Sequence, residues 1–255
     1  MSPDMEGRAI VVDLSKIEFF EPFGLVYAYV VVRQLHAEGA REVSVVLPTG
    51  DVGNYLDRID FTRALLALPN TSLRNLMSSN KNDRSDRLLE FQSFTVSNDD
   101  EVEELASRMR RIITTQAPEA RAIGEQIHMT LAELISNVEV HSDTREGVAV
   151  AQTIKGRLHI CIADAGVGIP SRIRSLDPTL RDAACIEEAT KARVTTRLGR
   201  GGMGLTELRA EIREGGGRLS IRSGSGMVDF YRSGPSASFD DLPPFRGTIV
   251  EAVWV

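Results

Sequence analysis

Cysteine is nearly missing from this chain: two residues in 255, Cys161 and Cys185. They show no metal-ligand spacing and no disulfide framework. Both read as small apolar side chains in a reducing compartment. No block of basic residues stands out, so a nucleic-acid footprint is not indicated. No apolar run approaches the length of a membrane span. The opening MSPDMEGRAI has no basic start followed by an apolar stretch, so no secretory signal is expected. The P-loop pattern is absent as well, because no Gly-Lys-Ser/Thr occurs. These absences point to a soluble cytoplasmic protein with neither nucleic-acid nor membrane partners.

What is present is a mildly acidic chain, with 36 acidic against 30 basic residues and a net charge of −6. Its length suits one large domain or two modest ones. The acidic balance does not exclude nucleotides, since backbone N–H groups, helix dipoles and a metal can build a phosphate site.

The first part alternates. Ala9 to Leu14 is a β-branched strand, and Glu21-Pro22 introduces a helical pattern that Gly39 stops. Val43 to Leu47 reads as a buried strand ended by Pro48-Thr49-Gly50, and Tyr55, Ile59, Leu65 and Leu66 suggest a further helix. This rhythm implies a small α/β domain with a partly parallel sheet. Residues 70–90 are polar and Asn/Ser-rich and read as a solvated excursion. The boundary falls near Ser97-Asn98-Asp99-Asp100, an N-cap cluster for a helix over 101–116.

The second part predicts a helix through 131–141, strands at 147–154 and 158–163, and a helix-and-loop region over 171–198. A helix over 205–216 and strands at 218–222, 227–231 and 248–254 complete it. A C-terminal antiparallel meander with mixed helices implies an α+β sandwich.

Four motifs carry chemistry. Glu133, Asn137 and His141 recur every four residues, so they share one helix face. The Asn137 amide oxygen suits Mg²⁺, and Glu133 can accept a proton or hold a water. Alone, this stripe is equally the wet face of any amphipathic helix. Asp164 follows the apolar strand LHICIA. Its carboxylate can accept from the N6 amine of adenine, and Gly166 and Gly168 let the backbone approach a flat base. An ordinary strand-end turn has the same residues. The loop Gly199, Arg200, Gly201, Gly202, Met203, Gly204 precedes a helix, offering backbone N–H groups and a helix N-terminus to phosphates. It also fits the dinucleotide pattern GxGxxG, but polar KARVTTRL stands upstream where that fingerprint needs a strand. Thr248 opens the last strand and can hydrogen-bond near the base.

Together and in this order, the motifs resemble the GHKL superfamily of gyrase B, MutL, histidine kinases and anti-sigma-factor serine kinases, over roughly residues 100–255. The helix with Glu133, Asn137 and His141 matches the N box, DAGVGIP and GRGGMGL match the two glycine boxes, and GTIVEA matches the Thr-bearing strand. The resemblance implies ATP and Mg²⁺ as cofactors. By it, Asn137 is the metal ligand, Asp164 binds adenine, Gly199 to Gly204 lie on the phosphates, and 171–198 form a lid. ELISNVEVH is most similar to the anti-sigma-factor kinases. The N-terminal DLSKIEFFEPFGL resembles STAS domains, but Glu21-Pro22-Phe23 stand where a Ser or Thr would accept phosphate. A docking or regulatory role follows for that half. No helix carries the His-Glu/Asp pattern of a histidine phosphoacceptor, and His128 reads as structural.

The expected fold class is thus α/β plus α+β: a STAS-like domain over 1–97, then a GHKL (Bergerat) sandwich over 98–255 with helices on one face of a mixed sheet. The expected activity is that of an ATP-dependent Ser/Thr protein kinase or switch of the anti-sigma kind, acting with a STAS-like or regulatory protein partner. Alternatives are a slow ATPase that closes or homodimerises on ATP, and a nucleotide-gated binding module without turnover.

Overall fold

A computed structural model describes residues 5–77, 89–96, 99–116, 124–191, 204–232 and 236–254. Among them, eight helices and two sheets make a mixed α/β protein.

The N-terminal part is a β–α–β unit. Strand β1 (Ala9–Asp13) leads to helix α1 (Pro22–Ala37), then to β2 (Glu42–Val46), which pairs parallel with β1. Proline fits the first turn of α1, where its missing N–H has no intrahelical partner to lose. Helices α2 (Gly50–Arg58) and α3 (Phe61–Leu66) follow. Strand β3 (Thr71–Arg74) then pairs parallel with β2, within a stretch whose polarity suggested only a loop. Its side chains are half-buried or exposed, so a short edge strand gives little apolar signal.

Strand β4 (Leu89–Thr95) already belongs to the second sheet, where it pairs with β5. Helices α4 (Asp99–Gln116) and α5 (Gly124–His141) precede β5 (Glu146–Ile154) and β6 (Arg157–Asp164). Then come α6 (Ile169–Ile173), α7 (Asp182–Ala189) and α8 (Gly204–Gly215). Strands β7 (Arg218–Gly224), β8 (Gly226–Tyr231), β9 (Ala237–Phe239) and β10 (Phe245–Trp254) finish the chain. The seven strands run β4-β5-β6-β10-β7-β8-β9, every neighbouring pair antiparallel. The expectation of a mixed sheet is therefore corrected. The parallel pairing is confined to β1, β2 and β3.

The helices of 98–255 that enter the core do lie on one face of the sheet, and its other face is covered by α1 from the N-terminal unit. Side chains alternate along each strand. Ala149 and Ala151 of β5, Ile160 and Ile162 of β6, and Val250 and Ala252 of β10 face α4, α5 and α8. Val148 and Val150, Cys161 and Ala163, and Ile249 face the other way, into a core with Leu25 and Val32 of α1. Helix α1 thus lies between the two sheets and covers the back of the larger one. Aromatic contacts lock it there: Tyr27 stacks on Phe245 at 5.4 Å, and Tyr29 meets Phe91 at 5.1 Å. Polar contacts add to the seam: Tyr55 Oη donates to Gln152 Oε1 at 2.6 Å and Gln34 to the Arg246 carbonyl at 2.7 Å. The N-terminal unit shares a core with the rest of the protein rather than standing beside it.

No helix among the described residues is long and apolar enough to cross a membrane.

Candidate functional site

The site grows from one end of the seven-stranded sheet. In register across it stand Gly147 of β5, Asp164 of β6, Thr248 of β10 and Ser223 of β7. Asp164 has the parity of Ile160 and Ile162, so its carboxyl lies on the face covered by α5. It is 8% exposed. Oδ1 accepts from the Gly166 N–H at 2.7 Å, closing a tight turn after the strand. Burial pushes this carboxyl up to about 6, and the backbone N–H groups of Gly166 and Thr248 hold it down only in part. A carboxyl with spare acceptor capacity at a strand end suits a ligand that brings a donor.

The turn is fixed from two sides. Above it is the end of α5, where the Val167 N–H donates to the Ser142 carbonyl at 2.8 Å. A Cβ on Gly166 would overlap that same carbonyl oxygen, so only glycine lets the helix end come down on the turn. Below it is Ser223, fully buried. Its Oγ donates to the Gly247 carbonyl at 2.7 Å and accepts from the Ile169 N–H at 2.9 Å. It stands 3.3 Å from Thr248 Oγ1. Gly168 has φ +78°, and a Cβ there would sit 2.6 Å from Ser223 Oγ. Backbone conformation and space both call for glycine at this position.

Helix α5 presents Glu133 and Asn137 half-buried, between the buried Leu131, Leu134, Ile135 and Val138 that seat it on the sheet. Its end is pinned to the glycine turn through Ser142. Arg172 of α6 also bonds Asp143 just past that end. At the other end His128 Nε2 lies 2.9 Å from Glu103 Oε1 on α4. Residue 141 closes α5, but its side chain is outside the described residues, as is the loop Gly199, Arg200, Gly201, Gly202 and Met203. Gly204 is the first residue of α8, which packs beside α5 on the same face of the sheet; its last residue, Gly215, lies by Trp254, so the helix starts toward the Thr248 end of β10.

Part of the expected lid is anchored. Ala183, Cys185 and Ile186 of α7 are buried, and Asp182 accepts the Ser225 N–H at 2.5 Å in the β7–β8 turn. Residues 192–198 lie outside the described residues.

The structure thus brings Asp164, Gly166, Gly168 and Thr248 together with the end of the helix bearing Glu133 and Asn137. Sequence reasoning missed Ser142, Ser223 and Gly247. Gly247, at φ +103°, had a readable signal in the Gly-Thr pair before an apolar strand. Ser223 had none, because only the pairing of β7 with β10 brings it to the turn. Comparison with known family models and with curated proteins returns no match to this chain.

Proposed function

We propose that this protein binds ATP with Mg²⁺ at the Asp164 turn, and acts as a Ser/Thr protein kinase or ATP-driven switch of the anti-sigma-factor kind. The supporting observation is the buried Asp164 carboxyl, held by Gly166 in line with Thr248, under the end of the helix carrying Glu133 and Asn137. Asp164 accepts a hydrogen bond from the adenine N6 amine, and the Gly166–Gly168 turn lets the base approach the backbone. On this reading α8 directs its N-terminal N–H groups at the phosphates.

The donor set fits the metal: a neutral amide oxygen one helical turn from a carboxylate, with phosphates and water free to complete an oxygen shell. Asn137 would hold the ion, which offsets phosphate charge when bound. Glu133 is the general base, taking a proton from the attacking hydroxyl or water.

The acceptor hydroxyl comes from a separate protein. Glu21-Pro22-Phe23 offer none. The Phe23 N–H instead donates to Glu251 Oε1 at 3.3 Å, which ties the first turn of α1 to the back of the large sheet. The STAS-like unit is on this account a fixed scaffold with partner-facing surfaces.

Single-turnover assays at saturating ATP test the reading. Glu133→Gln should keep ATP–Mg²⁺ binding and lose roughly 10²–10⁴-fold in phosphate release or transfer. A wild-type single-turnover rate would remove Glu133 from the chemistry and favour a nucleotide-gated binder. Label from the γ-phosphate on a partner Ser or Thr marks the kinase; label in inorganic phosphate alone marks the ATPase.

A further inference from the structure

On the back of the large sheet, away from the Asp164 turn, a pocket of about 480 Å³ opens between α1 and the β10–β7 strands. Apolar side chains of β1 and α1 wall one side of it, Val12, Phe23 and Tyr27 among them. Its other side is polar. Glu21, at the N-cap of α1, makes no side-chain capping bond although its position invites one. Glu251 of β10 is 1% exposed, an unusual place for a carboxylate. His159 of β6, 5% exposed, does not line the pocket but is the diagonal neighbour of Glu251 across the ladder, since His159 pairs with Val253. One ligand atom from each of Glu21, His159 and Glu251 lies within 4.8 Å of the other two.

We infer that these three side chains form a divalent transition-metal site of the zinc type, which clips the start of α1 to the large sheet. Four observations converge on it. His159 Nδ1 and Glu251 Oε1 are 3.3 Å apart. That is the long end of the range for an N–H···O hydrogen bond, as is the Phe23 N–H contact to the same oxygen. It matches the spacing of two ligands on one tetrahedral ion, about 3.4 Å for metal bonds of about 2.1 Å. Arg218 occupies the other oxygen of Glu251, Oε2, at 3.0 Å, so that Oε1, which also accepts the Phe23 N–H at 3.3 Å, keeps a second lone pair for the cluster. Two carboxylates against that single guanidinium leave a net negative charge for a cation to answer. Finally, Ser220 lines the same pocket, is 1% exposed, and its hydroxyl has no partner among the described residues. A buried hydroxyl without a partner is costly, and a metal-bound water in the open fourth position supplies one. One imidazole with two carboxylates suits zinc better than magnesium, which demands an octahedron of oxygens.

The test uses tag-free, full-length protein stripped with a chelator and titrated with ZnCl₂ by calorimetry without nucleotide. A parallel titration with Co²⁺ follows the visible absorption bands of tetrahedral cobalt. The expected result is one zinc per chain, tetrahedral cobalt bands, and a zinc-dependent rise in melting temperature, because the ion binds only the folded arrangement. Glu21→Gln should weaken zinc by at least about tenfold. It should leave the metal-free melting temperature and ADP affinity unchanged, since Glu21 is exposed and caps nothing. Absence of stoichiometric zinc binding, or a Glu21→Gln protein that binds zinc as tightly as the wild type, overturns the inference.

Discussion

Gly166 lies directly beneath the carbonyl of Ser142, and a Cβ on it would overlap that oxygen. The turn that carries Asp164 and the helix that carries Glu133 and Asn137 are therefore locked at a single close approach. Gly166→Ala should force the two apart, costing about 1–3 kcal/mol by overpacking against backbone. It should also weaken ADP binding, because the Gly166 N–H that orients Asp164 moves with the turn. Gly24→Ala is the contrast: in the first turn of α1 its new methyl meets Phe20 at an ordinary 3.7 Å. That variant should gain about 0.5–1 kcal/mol from helix propensity. Urea titrations of both decide. A neutral Gly166→Ala would show that the close approach is not required.

Asn137→Ala tests the metal assignment. Its amide oxygen is the proposed protein ligand, so ATP binding in the variant should become insensitive to Mg²⁺. Calorimetry with and without Mg²⁺ reads this directly. An equal Mg²⁺ enhancement in wild type and variant would take the ion away from Asn137.

Glu211, on α8 and facing α5, gives a pH signature near the site. Burial, and then the charge of Glu207, push its carboxyl from 4.5 up to about 7. Its Oε2 is buried without a partner among the described residues. A folded-state pKa raised in this way gives stability that is complete below about pH 4.5 and lost as pH rises through 7. Glu211→Gln should therefore stabilise the protein at pH 8, by about 1–2 kcal/mol once solvent screening of its exposed part is allowed for. It should gain nothing at pH 4. Equal melting shifts at both pH values would show that Glu211 is not held neutral by its surroundings.

Much of this architecture was legible because local pattern and final structure agree. The 3.6-residue period of α5, the β-branched run of β1 and the glycines after β6 each report a local physical constraint. The cover on the back of the sheet was not foreseen, although its sign is visible in the strands themselves. GVAVAQTI and LHICIA are apolar at consecutive positions, the mark of a strand buried on both faces, and the second face is covered by α1 of the N-terminal unit. Val148 and Cys161 reach the α1 core through this second face. Long-range pairing hid the rest. Ser223 meets the glycine turn 54 residues away, and Glu251 meets Phe23 across 228. No period or spacing encodes either contact.

Asp164 is where the account stands or falls. Its carboxyl is pushed from 3.8 to about 6 by burial, so the nucleotide-free fold holds the proton to a higher pH than the unfolded chain does. That contribution to stability, about 3 kcal/mol, is complete below about pH 4 and lost as pH rises through 6. A bound adenine amine donates to the ionised form, so ADP affinity should change in the opposite sense, falling roughly tenfold from pH 7 to pH 5. Calorimetric ADP titrations at the two pH values, on wild type and Asp164→Asn, are the most direct test. The account predicts a loss of about 1.5–3 kcal/mol at pH 7 in the variant, from one charge-assisted hydrogen bond, and no pH dependence between 5 and 7. An Asp164→Asn protein that binds ADP at pH 7 as tightly as the wild type does, or a wild type whose ADP affinity is the same at pH 5 and pH 7, would contradict it.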